Sequence, residues 1–317
     1  MTDIVRIGSR GSRLALWQAE HVQRLLADRC GLATEIVVIK TSGDRFAEKT
    51  TGNLGELGLK GVFIKELEEA LLDGRADLAV HSMKDVPTEI DSSFSFPAVL
   101  SREDPRDCLV AGNGATLDEL PAGARIGTSS VRRQAQLRHY RPDLEIVPLR
   151  GNVDRRLAKL DRGEFDAIVL AKAGLDRLGF SERITEVLGA DVVLPAVGQG
   201  ALGIETRAGD PHICKLVATL ADVDTRAALN AERALLSELE GGCQVPVGAW
   251  ARLENGAFVI DACVVSPDGS EYIRLSRRAT AEELQDRRTP LNLGRELGRQ
   301  LIEAGADRIL RLLGRAP

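Results

Sequence analysis

Apolar positions in the first hundred residues follow two alternating rhythms. Residues 4–7, 36–40 and 77–81 are short runs that each read as a strand, and 36–40, β-branched and apolar, reads as a buried one. Between them, apolar residues fall three and four apart and predict helices over 14–30 and 62–72. Gly31 stops the first helix and Asp73-Gly74 the second, whose Leu67, Ala70 and Leu71 share one face. Residues 43–61 keep neither rhythm. Gly52, Gly55, Gly58 and Gly61 recur there among Glu48, Lys49 and Thr50, the composition of a long loop or lid.

A break falls at Ser101-Arg102-Glu103-Asp104-Pro105-Arg106-Asp107, after which the alternation restarts. Strands are predicted over 125–127, 144–149 and 166–171, with helices over 130–140, 153–161 and 173–179. Arg6-Ile7-Gly8-Ser9 and Arg125-Ile126-Gly127-Thr128 echo each other, each ending a strand before a helix. Such alternation predicts right-handed crossovers and largely parallel sheets. The expected arrangement is two similar α/β domains facing one another across a cleft. The last hundred residues differ. An amphipathic helix over 225–240 closes at Gly241-Gly242. Asn255-Gly256 is a hairpin signal between runs at 248–253 and 258–265, and Pro267-Asp268-Gly269 turns into a third run at 272–277. With a final helix over 291–304, this predicts a small α+β domain built on three antiparallel strands.

Composition narrows the picture. A chain of 317 residues, 44% hydrophobic and 28% charged, can bury more than one core. Aromatics are only 3%, so those cores must be aliphatic. The net charge of -5 gives no general attraction for nucleic acid or anionic lipid, so any cluster of arginines needs a local reason. No apolar run approaches membrane-spanning length, and no apolar stretch follows basic residues at the N-terminus, so neither membrane insertion nor a secretory signal is expected. Cys30, Cys108, Cys214, Cys243 and Cys263 are odd in number and form no close pair, which predicts reduced thiols in the cytoplasm. The four histidines show no metal-ligand spacing, and no metal is expected.

In parallel sheets, ligands bind at the carboxyl ends of strands, where helix N-termini present N–H groups and partial positive charge. Arg10 lies in the first such loop. Thr128-Ser129-Ser130 forms another, followed by Arg132 and Arg133. Arg150-Gly151-Asn152 forms a third, followed by Arg155 and Arg156, and Arg177 follows the strand ending at Ala171. Any one of these arginines alone would read as a solvated side chain. Their coincidence at one edge predicts a ligand with several carboxylates or phosphates, because guanidinium matches those groups with paired hydrogen bonds. Phosphate is disfavoured by the absence of a GxxxxGK[ST] loop. Gly198-Gln199-Gly200-Ala201-Leu202-Gly203 matches a dinucleotide fingerprint, but Ile204-Glu205-Thr206 reads as extended and Gly209-Asp210-Pro211 is expected to block a helix there. His81-Ser82-Met83-Lys84-Asp85-Val86-Pro87 sets a hydroxyl, an ammonium and a carboxylate at the end of a strand, where an acid can stabilise a cation or move a proton. A turn bonding Asp85 to its own backbone is the plainer alternative. Cys243 sits in a glycine-flanked loop, where a thiol is open to modification, whereas the other four read as small buried hydrophobes.

At these residues the chain resembles the porphobilinogen deaminase family. The resemblance runs through Gly8-Ser9-Arg10-Gly11-Ser12, Leu14 to Ala19, Lys60-Gly61-Val62-Phe63, Lys65 to Glu68, and His81 to Pro87. It continues through Ile126 to Arg133, Arg150-Gly151-Asn152-Val153, Gly198-Gln199-Gly200 and Gly241 to Pro246, nearly the whole chain in order. It implies three domains, two of them like type II periplasmic binding proteins around a cleft: 1–100 with 200–220, 101–199, and 221–317. It implies a transferase of haem biosynthesis that joins four porphobilinogen molecules head to tail, loses ammonia at each step and releases hydroxymethylbilane by hydrolysis. It implies a dipyrromethane cofactor bound through a thioether to Cys243, with Asp85 stabilising positive charge on pyrrole nitrogens. Ser82, Lys84, Thr128, Ser129, Arg132, Arg133, Arg150 and Gly151 would hold the cofactor. Arg10, Ser12, Arg150, Arg156, Arg177 and Gln199 would hold porphobilinogen and the growing oligopyrrole chain, with Lys60 and Phe63 in a mobile loop. A cytoplasmic monomer without nucleic-acid or membrane partners is the corresponding expectation. Two other classes stay open on the residues alone: a non-enzymatic anion-binding protein of the two-domain closing type, and a dinucleotide-dependent oxidoreductase.

Overall fold

The computed structural model describes residues 4–41, 64–239 and 245–311. The loop at 43–61, Lys60, Phe63 and Cys243 lie outside the described residues. The chain divides into two compact units, Met1–Arg102 with Ala201–Thr225, and Glu103–Gly200 with Arg226–Pro317.

In the first unit, β1 (Val5–Ser9) feeds α1 (Arg13–Cys30), followed by β2 (Thr34–Val38), α2 (Lys65–Leu72), β3 (Leu78–Ser82) and β4 (Phe94–Val99). α1 starts because the Ser12 hydroxyl accepts a hydrogen bond from Ala15 N, and stops because Gly31 takes φ 62, a conformation open to glycine, and bonds back to Ala27 O. It buries Ala19, Val22 and Leu26 against Ile7 and Leu78 of the sheet. Strand β10 (Leu202–Arg207) returns to this sheet, giving the order β2-β1-β3-β10-β4. β1 is parallel to β2 and β3, whereas β10 is antiparallel to β3 and β4.

The second unit repeats the scheme with β5 (Asp107–Ala111), β6 (Arg125–Gly127), α3 (Val131–Tyr140), β7 (Glu145–Val147), α4 (Val153–Asp161), β8 (Ala167–Ala171), α5 (Lys172–Arg177) and β9 (Glu186–Val187). Its order is β7-β6-β8-β5-β9, with β5 antiparallel to β8 and β9. In each sheet the fourth position is thus an antiparallel strand supplied from a distant part of the chain. The expectation of largely parallel sheets is corrected: both are mixed. The segment expected to be a break at 101–107 already contains the first residue of β5. Gly209-Asp210-Pro211 does not block a helix either. Asp210 caps α6 (Pro211–Ala218), and proline occupies its first turn, where a missing N–H costs nothing.

The same unit carries a separate antiparallel sheet, β11 (Val247–Glu254), β12 (Ala257–Val265) and β13 (Tyr272–Ala279). Asn255 and Gly256 both take positive φ, the requirement of the tight hairpin their sequence predicts. Helices α7 (Val223–Glu238), α8 (Thr289–Glu303) and α9 (Ala306–Arg311) cover one face, burying Leu235, Leu297, Leu301 and Ile309 against Phe258, Ile260 and Ala262. The turn after β12 rests on α3. His139 stacks on Tyr272 with ring centroids 4.5 Å apart, His139 Nδ1 lies 2.9 Å from Gly269 O, and Arg138 donates to Pro267 O at 2.6 Å. Inside the small domain, α8 crosses α7 at Gly294 and Gly298. A Cβ on Gly298 would sit 2.7 Å from Glu238 Cβ and 3.1 Å from Leu235 O, and one on Gly294 would run into the Ala231 carbonyl. Gly294→Leu is therefore expected to lower stability by about 2–3 kcal/mol, read as a lower urea midpoint, whereas an unchanged midpoint would mean the helices can separate without loss.

Candidate active site

The first unit presents an acid on a braced turn. β1 and β3 are parallel neighbours, with Gly8 opposite Ala79, so their carboxyl ends lie side by side. Past β1 come half-buried Arg10 and Ser12. Ser12 caps α1 as an acceptor, which leaves its hydroxyl proton to donate. Past β3, Ser82 accepts from Gln18 Nε2 of α1 at 3.0 Å, tying the end of the strand to the helix. The single 3₁₀ turn Met83–Asp85 follows, with Met83 buried, Lys84 half-buried and Asp85 exposed. Met83 N donates to Ala201 O at 3.0 Å, so the antiparallel return strand braces the turn from its other side. Behind it, His81 Nε2 and Glu205 Oε2 lie 2.8 Å apart and almost wholly buried.

The second unit gathers arginines at the carboxyl ends of β6, β7 and β8. α3 is capped by Ser130, which accepts from Arg133 N, and α4 by Asn152, which accepts from Arg155 N. Gly151 takes φ 117, where a side chain would be strained, and its carbonyl accepts from Arg156 Nε at 2.8 Å. Arg150 is exposed at the tip of that loop, as is Ser129 on its own. Ser129 donates its hydroxyl proton to Leu149 O at 3.0 Å. Thr128 is buried, and its hydroxyl oxygen accepts from Ser130 N at 3.3 Å.

Arg132 and Arg133 are buried around one carboxylate. Asp107 Oδ2 lies 2.7 Å from Arg132 Nη1, and Asp107 Oδ1 accepts from Arg133 Nη2 at 2.7 Å. Arg132 Nη1 also donates to Leu194 O at 2.5 Å and Arg133 Nη1 to Val169 O at 3.0 Å. Burial alone would raise the Asp107 pKa, but the two guanidiniums outweigh it and hold the carboxyl far below the usual range. A depressed carboxyl contributes stability in full above the ordinary aspartate pKa and loses it as pH falls below that value. Asp107 is the residue the sequence reading missed. The available signal was an acid placed directly before the apolar run Cys108-Leu109-Val110-Ala111.

Two expected substrate contacts are buried and bonded to protein. Gln199 is buried, and its amide nitrogen donates to Asp107 Oδ1 and Pro105 O, both at 2.7 Å. Arg177 is buried between Glu103, at 3.1 Å from its Nε, and the carbonyl of Gly200, at 2.7 Å from its Nη2. Both brace the segments that flank the edge, because burial keeps their polar groups against protein.

The site carries more positive charge than the protein neutralises. Arg156 has no carboxylate partner among the described residues. Burial, and then the neighbouring Arg133, push its pKa down to about 10, so it stays charged at neutral pH while its desolvation is uncompensated. The Nε atoms of Arg132 and Arg133 are buried without a hydrogen-bond partner. Unanswered guanidinium donors fit a ligand that brings several carboxylates.

The first unit is thus an α/β domain with an acid on a braced turn, and the second an α/β domain with arginines gathered at the carboxyl ends of its strands. Residues 5–215 match the family model described as porphobilinogen deaminase, dipyromethane cofactor binding domain, and residues 227–303 match the porphobilinogen deaminase C-terminal domain. A porphobilinogen deaminase of Chromobacterium violaceum is 52% identical over 305 residues, covering 96% of each chain. One of Syntrophotalea carbinolica is 49% identical over 314 residues, covering 99% of this chain and 97% of that protein. The chain belongs to the porphobilinogen deaminase family.

Two thiols are placed out of reach of this chemistry. Burial pushes Cys108 up to about 12 and Cys263 up to about 11, so both stay protonated. Cys30 and Cys214 are only half-buried, less enclosed than expected. Iodoacetamide at pH 8 is expected to leave Cys108 and Cys263 unmodified in the folded chain and to label both in urea, read by peptide mass spectrometry. Labelling of either in the folded chain would contradict this burial.

Proposed function

We propose that this chain is a hydroxymethylbilane synthase, a transferase that joins four porphobilinogen molecules head to tail with loss of ammonia and releases the linear tetrapyrrole by hydrolysis. The observation that carries the reading is the surplus of desolvated guanidinium around Arg132, Arg133 and Arg156, in a chain of this family. Each porphobilinogen brings an acetate and a propionate, so the carboxylate count grows with every condensation.

The family's dipyrromethane cofactor supplies, when bound, the pyrrole carbon to which new units are added. Arg132, Arg133, Arg150 and the Gly151 turn would hold its carboxylates, with Thr128, Ser129, Ser82 and Lys84 contributing. Cys243 would be its attachment point. Arg10, Ser12 and Arg156 would orient the carboxylates of incoming porphobilinogen. The 3₁₀ turn holds Asp85 in one place, and its carboxylate would oppose the positive charge that develops at a pyrrole nitrogen as ammonia departs. Arg177 and Gln199 would act from behind, keeping the binding groups in place. Lys60 and Phe63 would belong to a loop that covers the site.

We also propose three domains, 1–100 with 200–220, 101–199 and 221–317, in a cytoplasmic monomer that needs neither nucleic acid nor membrane. The net charge of -5 gives no general attraction for nucleic acid or anionic lipid, and among the described residues no helix is long and apolar enough to cross a membrane.

The purified chain is expected to be heavier than its sequence by two pyrrole units, with the added mass on the peptide that contains Cys243. A fully active chain of unmodified mass excludes the covalent primer. An unmodified chain that binds porphobilinogen without releasing ammonia returns the reading to a simple binding protein. Asp85→Asn is expected to lower ammonia release from porphobilinogen by about a hundred-fold or more with the thermal midpoint preserved, and normal turnover would remove Asp85 from the chemistry.

A further inference from the structure

Asp107 enters the carboxyl edge of the second-unit sheet from an unusual direction. β5 runs antiparallel to β8, so its first residue, Asp107, pairs with Ala171, the last residue of β8. A buried carboxylate thereby stands beneath two arginines on the first turn of α3. Its side chain is wholly buried: one oxygen is ion-paired with Arg132, and the other accepts from Arg133 and Gln199. Gln199 is held in turn, because Gly198 N donates to Glu232 Oε2 at 2.7 Å and Glu232 Oε1 accepts from Ala251 N at 2.9 Å. The carboxylate is therefore anchored through α7 and β11 of the C-terminal domain.

Two guanidiniums this close repel each other, and each would turn toward solvent if free. One carboxylate between them fixes their separation and leaves one net positive charge. Arg132 spends Nη1 on Asp107 and Leu194, and its Nη2 has no hydrogen-bond partner among the described residues. The pair is held in place and still able to bind.

We infer that Asp107 is a positioning residue that sets the spacing and direction of Arg132 and Arg133 for ligand carboxylates, with Gln199 bracing it from the far side. The inference rests on the reading of the site as a binder of carboxylate-bearing pyrroles.

The test uses the full chain as purified. The fraction carrying the two-pyrrole mass is read by intact-mass spectrometry, and KM and kcat for porphobilinogen are measured on the loaded protein. The set is wild type, Asp107→Asn, Arg133→Gln and the double variant. Asp107→Asn is expected to lower the loaded fraction and to raise KM about ten-fold, with a smaller change in kcat. In the Arg133→Gln background the same substitution is expected to add little, because it acts through a group already removed. An Asp107→Asn chain loaded like wild type with unchanged KM overturns the inference, and so do effects of the two substitutions that multiply independently. If Asp107→Asn does not fold, Gln199→Met takes its place. It keeps the three charges, and it is expected to fold and to raise KM about three-fold. An unchanged KM and loaded fraction in that variant overturns the inference. A wild-type chain with neither added mass nor ammonia release fails the functional reading instead, which separates the two failures.

Discussion

A carboxylate buried between two guanidiniums organises the second unit. Taking Asp107, Arg132 and Arg133 out of water costs several kcal/mol per charge, and only close pairing with further hydrogen bonds offsets it. The structure meets that condition with Leu194 O, Val169 O and the Gln199 amide. Removing one partner from such a cluster typically costs about 3–5 kcal/mol, because the remaining charges stay buried. The cluster is thus poor as a source of stability and strong as a constraint on geometry. Its net charge is one positive, and Arg156 adds another beside Arg133.

Much of this was legible in the chain. The periodicity located α1, α3, α4 and the C-terminal hairpin, and the loops before Arg132 and Arg156 were placed at the correct sheet edge. The positions of Arg10, Asp85 and Arg133 follow from their places after predicted strands. What periodicity did not carry was strand direction. A parallel β5 would have put Asp107 at the opposite edge, far from the arginines, so its pairing could not be read from a parallel model. The protein partners of Gln199 and Arg177 were hidden for a related reason. Sequence shows that a polar group lies near an edge, but whether it faces the ligand or the protein depends on burial set by distant segments.

Both units solve the same problem in the same way. An antiparallel strand inserted at the fourth position delivers its amino end to the carboxyl edge of its parallel neighbours. In the first unit β10 does this, and the chain just before it braces the turn that bears Asp85. In the second, β5 does it with Asp107 itself. Parallel strands lead into the turn that bears Asp85 and the helix that bears Arg132 and Arg133, and the antiparallel newcomer supplies hydrogen bonds to both.

The turn at Pro267-Asp268-Gly269 has a mechanical consequence. It presses on the carboxyl-terminal end of α3 through Gly269, His139 and Tyr272, while the opposite end of that helix carries Arg132 and Arg133. The helix is therefore pinned at both ends, by a hairpin at one and by Asp107 at the other. Backbone amides of α3 and of the β12–β13 turn should then exchange with solvent as one cooperative unit. A length change in that short turn would be felt some seven residues away along the helix, at Arg132 and Arg133.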